Sequence, residues 1–222
     1  MSASAQLPSR PAVRRLVEFY DLRNTDSRGR RLEQILDWDD ERLEMSHDYI
    51  QTLFPLPEGS LFANAPIIDE EAYLYWRQHS GLNGNLRRVF DRMAAFYGFD
   101  VKWEQVEGGR WKAQISEKQD ARTNLRRWVT RMDHNHLRIT RIIRSLRVLG
   151  LEEVAEAFHE ALNEVCEKYG RVGDNSRKYW RRALELPLHI APDGTEVDWL
   201  EKYEAEDEQL QESQASNGEA SN

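Results

Sequence analysis

The stretch HNHLRITRIIRSLRVLGLE, from His134 to Glu152, determines the fold that we expect for this chain. At about 100° per residue, its apolar positions and two upstream ones lie within one sector of a helical wheel. These positions are Trp128, Met132, Ile139, Ile142, Ile143, Leu146 and Leu149. The spacing therefore predicts a helix that buries one side and ends at Gly150.

A stripe of basic residues adjoins the apolar side of this helix. It contains Arg127, Arg131, His134, Arg138 and Arg141, with Arg126, Arg144 and Arg147 beyond it. Asp133 is the only acid between Ala121 and Gly150, although the whole protein has a net charge of −8. The planar guanidinium group suits bidentate contacts with phosphate. One hypothesis is therefore a site for phosphate, nucleic acid or anionic lipid on Arg127, Arg131, Arg138, Arg141 and Arg144.

A structural role for the same arginines is the stronger interpretation. The helix has almost no acids of its own, so its charges must be balanced by other elements. Glu152, Glu153 and the DWDDE segment at 37–41 are candidate partners. The sequence thus predicts that arginines of the stripe pair with acids inside the domain.

Three sequence blocks carry a resemblance to a known family. They are SHDYIQTLFPL (Ser46–Leu56), MAAFYGF (Met93–Phe99) and HNHLRITRI followed by SLRVLGLE. In this order and at this separation they resemble the conserved region of the opioid growth factor receptor family, from about Leu16 to about Leu184. The repeated C-terminal tail of animal receptors in that family has no counterpart here.

The resemblance implies a non-enzymatic, receptor-like protein. It is similar to proteins that bind the opioid growth factor, Met-enkephalin, and restrain cell growth from a perinuclear or nuclear position. It also implies membrane association without a membrane span. A peptide with tyrosine and phenylalanine rings requires an apolar groove and a charged partner for each terminus. Our candidate groove residues are His47, Tyr49 and Phe62.

Composition and length predict one domain with unstructured ends. With 222 residues and 40% apolar residues, the chain can fill a single core. Residues 199–222 are predicted to be a disordered tail, because Leu200 to Asn222 contains seven acids and one lysine. Residues 1–9 are predicted to be disordered as well, which leaves a helical domain at 10–198. No signal peptide or run of 18 apolar residues is visible, so we expect an intracellular protein of the cytoplasm or nucleus.

The spacing of apolar residues predicts a mainly α fold of about seven to nine helices. Ser9, Ser46, Asp69 and Asp174 are the predicted helix caps, and the glycine-rich segment 80–85 is a predicted break. Helix ends are predicted at Gly98, Gly150 and Gly170.

Two further patterns predict how parts of the chain pack. Apolar and polar residues alternate on both sides of Gly108-Gly109, which predicts a small β-hairpin near residues 99–116. Val154, Phe158 and Leu162 mark a clean amphipathic helix after Gly150. Because the connection is short, this helix is predicted to pack antiparallel to the arginine-rich helix.

The short motifs that suggest catalysis fail on spacing. His134-Asn135-His136 matches a tripeptide of metal-dependent nucleases, but residues two apart on a helix point about 200° apart and cannot share a metal. His159-Glu160 is followed by Asn163 where a zinc protease needs histidine. We therefore expect no enzymatic activity, catalytic residue, metal or cofactor. The single cysteine, Cys166, is predicted to be a buried thiol.

Overall fold

The computed structural model describes residues 7–59, 65–106 and 111–204. Within these ranges the chain is mainly helical with one small antiparallel sheet, which confirms the predicted fold class. The elements are α1 (Pro11–Tyr20), α2 (Leu32–Leu36), α3 (Asp40–Met45), α4 (Ile50–Leu53), α5 (Glu70–Gln78), α6 (Ser80–Tyr97), β1 (Phe99–Gln105), β2 (Trp111–Glu117), α7 (Arg122–Leu125), α8 (His134–Val148), α9 (Glu152–Tyr169) and α10 (Asp174–Glu185). A further helical segment lies at 198–204. No helix in these ranges is both long and apolar enough to cross a membrane.

The arginine-rich helix α8 packs against α9 and α10 and forms the centre of the core. Gly150, at φ +81°, turns the chain between α8 and α9 in a conformation that glycine adopts without strain. The apolar side chains on both helices are buried as predicted: Ile139, Ile142, Leu146, Phe158 and Leu162. This helix pair fixes the position of the arginines that α8 carries.

The prediction that the apolar stripe of α8 extends upstream to Trp128 and Met132 is wrong. α8 begins only at His134, where the Asp133 carboxylate accepts a hydrogen bond from the Asn135 amide at 2.8 Å. Trp128 is buried before the helix begins, and its indole nitrogen donates to the Tyr97 carbonyl at 2.9 Å. Met132 is 87% exposed. Residues 129–132 bend the chain, so helical phasing does not extend back to Met132.

Of the four predicted helix caps, Asp69 is correct and Ser9, Ser46 and Asp174 are wrong. The Asp69 carboxylate accepts from the Ala72 amide at 3.0 Å and begins α5. Ser9 and Ser46 are not caps: Ser9 donates to the Glu71 carboxylate, and the Ser46 carbonyl accepts from Arg138. Asp174 is the first residue of α10 rather than its cap. Both serines that the local sequence predicts as caps therefore form hydrogen bonds with distant residues instead.

The predicted break at 80–85 is also wrong, because α6 runs through it. Two asparagines of this segment bind neighbouring elements. The Asn83 side-chain oxygen accepts from the Trp76 indole nitrogen at 2.6 Å, and the Asn85 amide donates to the Tyr20 carbonyl at 2.7 Å. These tertiary bonds outweigh the weak helix propensity of the segment.

The predicted hairpin is confirmed by β1 and β2. The strands pair in the register Phe99 to Glu117 and Val101 to Ile115. The sheet packs on α6 and α9, and the Trp103 indole nitrogen donates to the Asp91 carboxylate at 2.8 Å. The predicted Gly108-Gly109 turn lies outside the described residues.

The domain extends beyond its predicted limits at both ends. Leu200 is fully buried, and the Glu204 carboxylate accepts from the Leu188 amide at 2.7 Å and pairs with His189 at 2.8 Å. The tail therefore does not begin at residue 199, because the apolar and polar groups of 198–204 bind the domain. At the other end Ser9 is bonded to Glu71. Residues 1–6 and 205–222 lie outside the described residues, so disorder there stays a prediction.

Cys166 provides a test of packing in α9. The side chain is buried, and burial raises the pKa of the Cys166 thiol to about 11. We expect iodoacetamide at pH 8 to alkylate the native protein more than about tenfold more slowly than the urea-unfolded chain, where a thiol has a pKa of about 8.5. Mass spectrometry over time measures both rates. Equal rates would contradict the packing of α9.

Candidate functional site

A pocket lies where α8 faces the loop after α4 and the turn at 191–193. Its volume is about 380 Å³. It is lined by His47, Ile50, Gln51, Leu56, Glu58, Gly59, His134, Leu137, Arg138, Thr140, Arg141, Arg144, Tyr179, Ala191, Pro192 and Asp193. Apolar walls with a few convergent polar groups are typical of ligand sites.

Arg144 forms the floor of this pocket and is 1% exposed. Its Nε lies 3.4 Å from Glu58 Oε1, and its Nη2 donates to the Leu188 carbonyl at 2.6 Å. Burial lowers the pKa of Arg144, and the Glu58 carboxylate opposes that shift. The guanidinium group is thus held from two sides, while its Nη1 has no hydrogen-bond partner among the described residues.

Arg141 lies one helical turn before Arg144 and is also partly withdrawn from water. Its Nη1 donates to the Phe54 carbonyl at 2.9 Å. Burial lowers the pKa of Arg141 to about 10, with Glu58 opposing the shift. The group therefore remains charged at neutral pH, and an anion entering the pocket would stabilise that charge.

Three buried side-chain atoms have no hydrogen-bond partner among the described residues, and all three belong to residues that line this pocket. They are Gln51 Oε1, Glu58 Oε2 and Arg144 Nη1. Leaving a buried polar atom unbonded costs about 1 to 3 kcal/mol. Such atoms are rare in folded domains, and their concentration around one cavity makes that cavity the candidate binding site.

A larger hollow of about 720 Å³ lies beside α1 and residues 65–67. Its buried acid, Asp26, is fully engaged. The carboxylate accepts from the amides of Arg28 and Arg30 at 2.9 Å each, and from Arg30 Nε at 2.7 Å. We therefore place the candidate site at the pocket beside α8.

Arg138 holds one side of the pocket together and is 5% exposed. It donates to the Leu43 carbonyl at 3.1 Å and to the Ser46 carbonyl at 2.7 Å. Its Nη2 also lies 3.2 Å from His47 Nδ1. These bonds attach the end of α3 to α8 and fix His47 at the rim.

The structure separates the peptide-binding candidates. His47 lines the pocket, whereas Tyr49 is buried in the core. The Tyr49 hydroxyl donates to the Leu43 carbonyl at 3.1 Å, and burial raises its pKa to about 12. Phe62 lies outside the described residues. Gln51 and Glu58 were missed, because Gln51 has no distinctive role within the block Ser46–Leu56 and Glu58 lies outside that block.

The five candidate anion-binding arginines do not form one surface. Arg138, Arg141 and Arg144 line the pocket, Arg127 pairs with Asp40 at 3.3 Å, and Arg131 is exposed before α8 begins. Acids supply part of the expected pairing, including Arg127 with Asp40 and Arg147 with Glu152 at 3.2 Å. Backbone carbonyls, which the sequence did not predict as partners, accept hydrogen bonds from Arg138, Arg141 and Arg144. The structure thus does not favour a broad nucleic-acid interface.

The His-Asn-His tripeptide has structural contacts. His136 is buried between the Trp128 carbonyl, 2.6 Å from Nε2, and the Ser176 hydroxyl, 2.7 Å from Nδ1. Asn135 donates to the Glu44 carboxylate and the Arg127 carbonyl. Among the described residues, no group of three or more His, Cys, Asp or Glu side chains could hold a metal ion.

Comparison with known proteins identifies relatives of the domain that contains this pocket. The family model described as "Opioid growth factor receptor (OGFr) conserved region" matches residues 15–184. The opioid growth factor receptor of Homo sapiens is 35% identical over 124 residues, which is 54% of this chain and 17% of the human protein. The receptor of Rattus norvegicus is 34% identical over 127 residues, 56% of this chain and 21% of that protein. Opioid growth factor receptor-like protein 1 of Mus musculus is 30% identical over 144 residues, 60% of this chain and 29% of that protein.

These matches cover less than a third of the relatives' own length. No solved structure matches the chain significantly. The family model covers most of the sequence. It includes the whole of α8 and α9 and the segment 47–59, whose residues line the pocket. The chain therefore belongs to the opioid growth factor receptor family through the conserved region of that family.

Proposed function

We propose that this chain is a peptide-binding, receptor-like protein that takes a short opioid-type peptide such as Met-enkephalin into the pocket beside α8. The observation that carries the proposal is the set of unpartnered polar atoms in an apolar-walled cavity. The relatives named opioid growth factor receptors supply the ligand class.

The pocket carries charges of both signs, with a positive excess that suits the carboxylate of a peptide. Arg138, Arg141 and Arg144 carry three positive charges, and Glu58 and Asp193 carry two negative ones, which leaves an excess of one positive charge. The Thr195 amide donates to Asp193 at 2.9 Å and lowers the pKa of that carboxyl, so it is ionised at neutral pH. About 380 Å³ holds one or two residues of a peptide. The rest of the peptide would lie on the rim, where Leu137 is 74% exposed.

Titration of the full chain with fluorescently labelled Met-enkephalin tests this proposal. We expect saturable binding that Arg141→Gln weakens at least about tenfold, because that change removes a charge from the pocket. Arg131→Gln is the matched control, since Arg131 is exposed and does not line the pocket, and it should leave affinity unchanged. Removing residues 205–222 should also leave affinity unchanged, because the pocket lies upstream.

Two outcomes would refute the proposed function. One is no binding at high micromolar peptide with the folded wild-type protein. The other is equal weakening by Arg141→Gln and Arg131→Gln, which would move the interaction away from the pocket. Circular dichroism of each variant establishes that loss of binding is not loss of fold.

The relationship also supports a location for the activity. We place the protein in the cytoplasm or nucleus, with membrane association through a surface contact, and assign it to growth regulation. Fluorescence microscopy of a tagged chain and its distribution between soluble and membrane fractions measure this. Secretion into the medium would contradict it.

A further inference from the structure

The unpartnered atoms of the pocket form a pattern of donors and acceptors that restricts the ligand. Arg144 Nη1 is a donor, and Gln51 Oε1 and Glu58 Oε2 are acceptors. Arg141 adds a second guanidinium group with one bond to the protein, to the Phe54 carbonyl. A ligand that satisfies the site must therefore present an acceptor to the arginines and an N–H donor to Gln51 or Glu58.

The last residue of a peptide has both groups a few bonds apart. Its carboxylate can accept from two guanidinium groups, and its amide N–H can donate to a carboxylate or side-chain amide oxygen. Its side chain would then face the apolar wall formed by Ile50, Leu56 and Ala191. We infer that the pocket binds the free C-terminal carboxylate and the last amide N–H of its peptide, with the N-terminus outside. This inference rests on the proposed function for the whole peptide, but its chemistry extends to any N-acyl amino acid.

Electrostatics disfavour the opposite orientation. Glu58 Oε2, the buried acid oxygen that has no hydrogen-bond partner among the described residues, belongs to a carboxylate whose other oxygen lies 3.4 Å from Arg144 Nε. A peptide ammonium group would enter beside Arg141 and Arg144, whose charges repel it. The excess of one positive charge in the lining matches one carboxylate.

Phosphate fits the same atoms less well. A phosphate dianion offers mainly acceptors, so Glu58 Oε2 would face it without a donor. That buried carboxylate oxygen would also repel a second negative charge. The predicted anion specificity is therefore for a carboxylate with a neighbouring N–H.

A matched pair of small probes tests the inference without mutation. N-acetyl-methionine has the carboxylate and the amide N–H, and N-acetyl-methioninamide has a neutral carboxamide in place of the carboxylate. Isothermal titration calorimetry on the full chain should show binding of the acid and at least about tenfold weaker binding of the amide. Equal binding of the two probes, no detectable binding of the acid in the millimolar range, or tighter binding of inorganic phosphate would overturn the inference.

Variants place the interaction in the pocket. Arg141→Gln should weaken binding of N-acetyl-methionine at least about fivefold, because it removes a positive charge that faces the ligand carboxylate. Arg147→Gln is a control on the same helix, because Arg147 is buried and donates to the Ala183 and Leu186 carbonyls without lining the pocket. The affinity of the Arg147→Gln variant for N-acetyl-methionine should equal that of the wild type. Equal losses in Arg141→Gln and Arg147→Gln would overturn the assignment to the pocket.

Full-length peptides separate this inference from the proposed function. If Met-enkephalin binds and its C-terminal amide binds equally well, the peptide proposal stands and the carboxylate inference fails. If N-acetyl-methionine binds selectively and Met-enkephalin does not, the carboxylate site stands and the opioid ligand fails. N-terminal acetylation of the peptide should leave affinity unchanged when both hold.

Discussion

Arg138→Glu should lower the free energy of unfolding by about 3 to 5 kcal/mol. Arg138 is buried, and its guanidinium group binds the Leu43 and Ser46 carbonyls at 3.1 and 2.7 Å. The substitution removes both donors and places a carboxylate against the two carbonyl oxygens, with no counter-charge. Urea denaturation followed by circular dichroism measures the change.

Arg131→Glu is the matched control, because it reverses the same charge at an exposed position outside α8. Its unfolding free energy should stay within about 0.5 kcal/mol of the wild type. Filter binding of RNA and DNA to the wild type should show no tight, salt-sensitive complex. A stable Arg138→Glu protein that loses strong wild-type RNA binding would instead establish the surface anion site.

The core could be predicted from sequence because helical periodicity is a local signal. Ile139, Ile142 and Leu146 repeat at helix spacing, and a helix with that pattern is stable only when the stripe is covered. Gly150 marks the end of α8 because only a left-handed turn lets α9 return so soon. The fold class and the α8–α9 pair follow from these residues alone.

Local signals fail where a distant element binds the residue. Ser9 and Ser46 have the chemistry of helix caps, but contacts with Glu71 and Arg138 determine their positions. The glycines near Ser80 signal a break, but tertiary bonds of Asn83 and Asn85 hold that segment in α6. Such partners lie tens of residues away and leave no periodic pattern.

The candidate site could be predicted only in part for the same reason. The unusual arginine content of α8 identified one wall, including Arg141 and Arg144, and the family block at 46–56 identified His47. The other half of the polar set comes from Gln51 and Glu58, ordinary surface residue types that folding brings against α8. Only the three-dimensional structure shows that one donor and two acceptors of this region have no hydrogen-bond partner in the part of the chain that the structure describes.

Leu146→Ala should cost about 2 to 5 kcal/mol of unfolding free energy. Leu146 is fully buried in the core, and truncation removes apolar contacts and leaves a cavity among rigidly packed helices. For a domain of this size, such a loss lowers Tm by several degrees or more. Calorimetry and urea denaturation measure the two quantities.

Leu137→Ala makes the same chemical change on the same helix and isolates the contribution of burial. Leu137 is 74% exposed, so its truncation should alter the free energy of unfolding by less than about 0.5 kcal/mol. The difference between the two variants measures the burial of α8 against α9 and α10, since helix propensity changes equally at both sites. Similar small costs at both positions would show that the apolar side of α8 is not buried, and would remove the framework that holds Arg141 and Arg144 in the pocket.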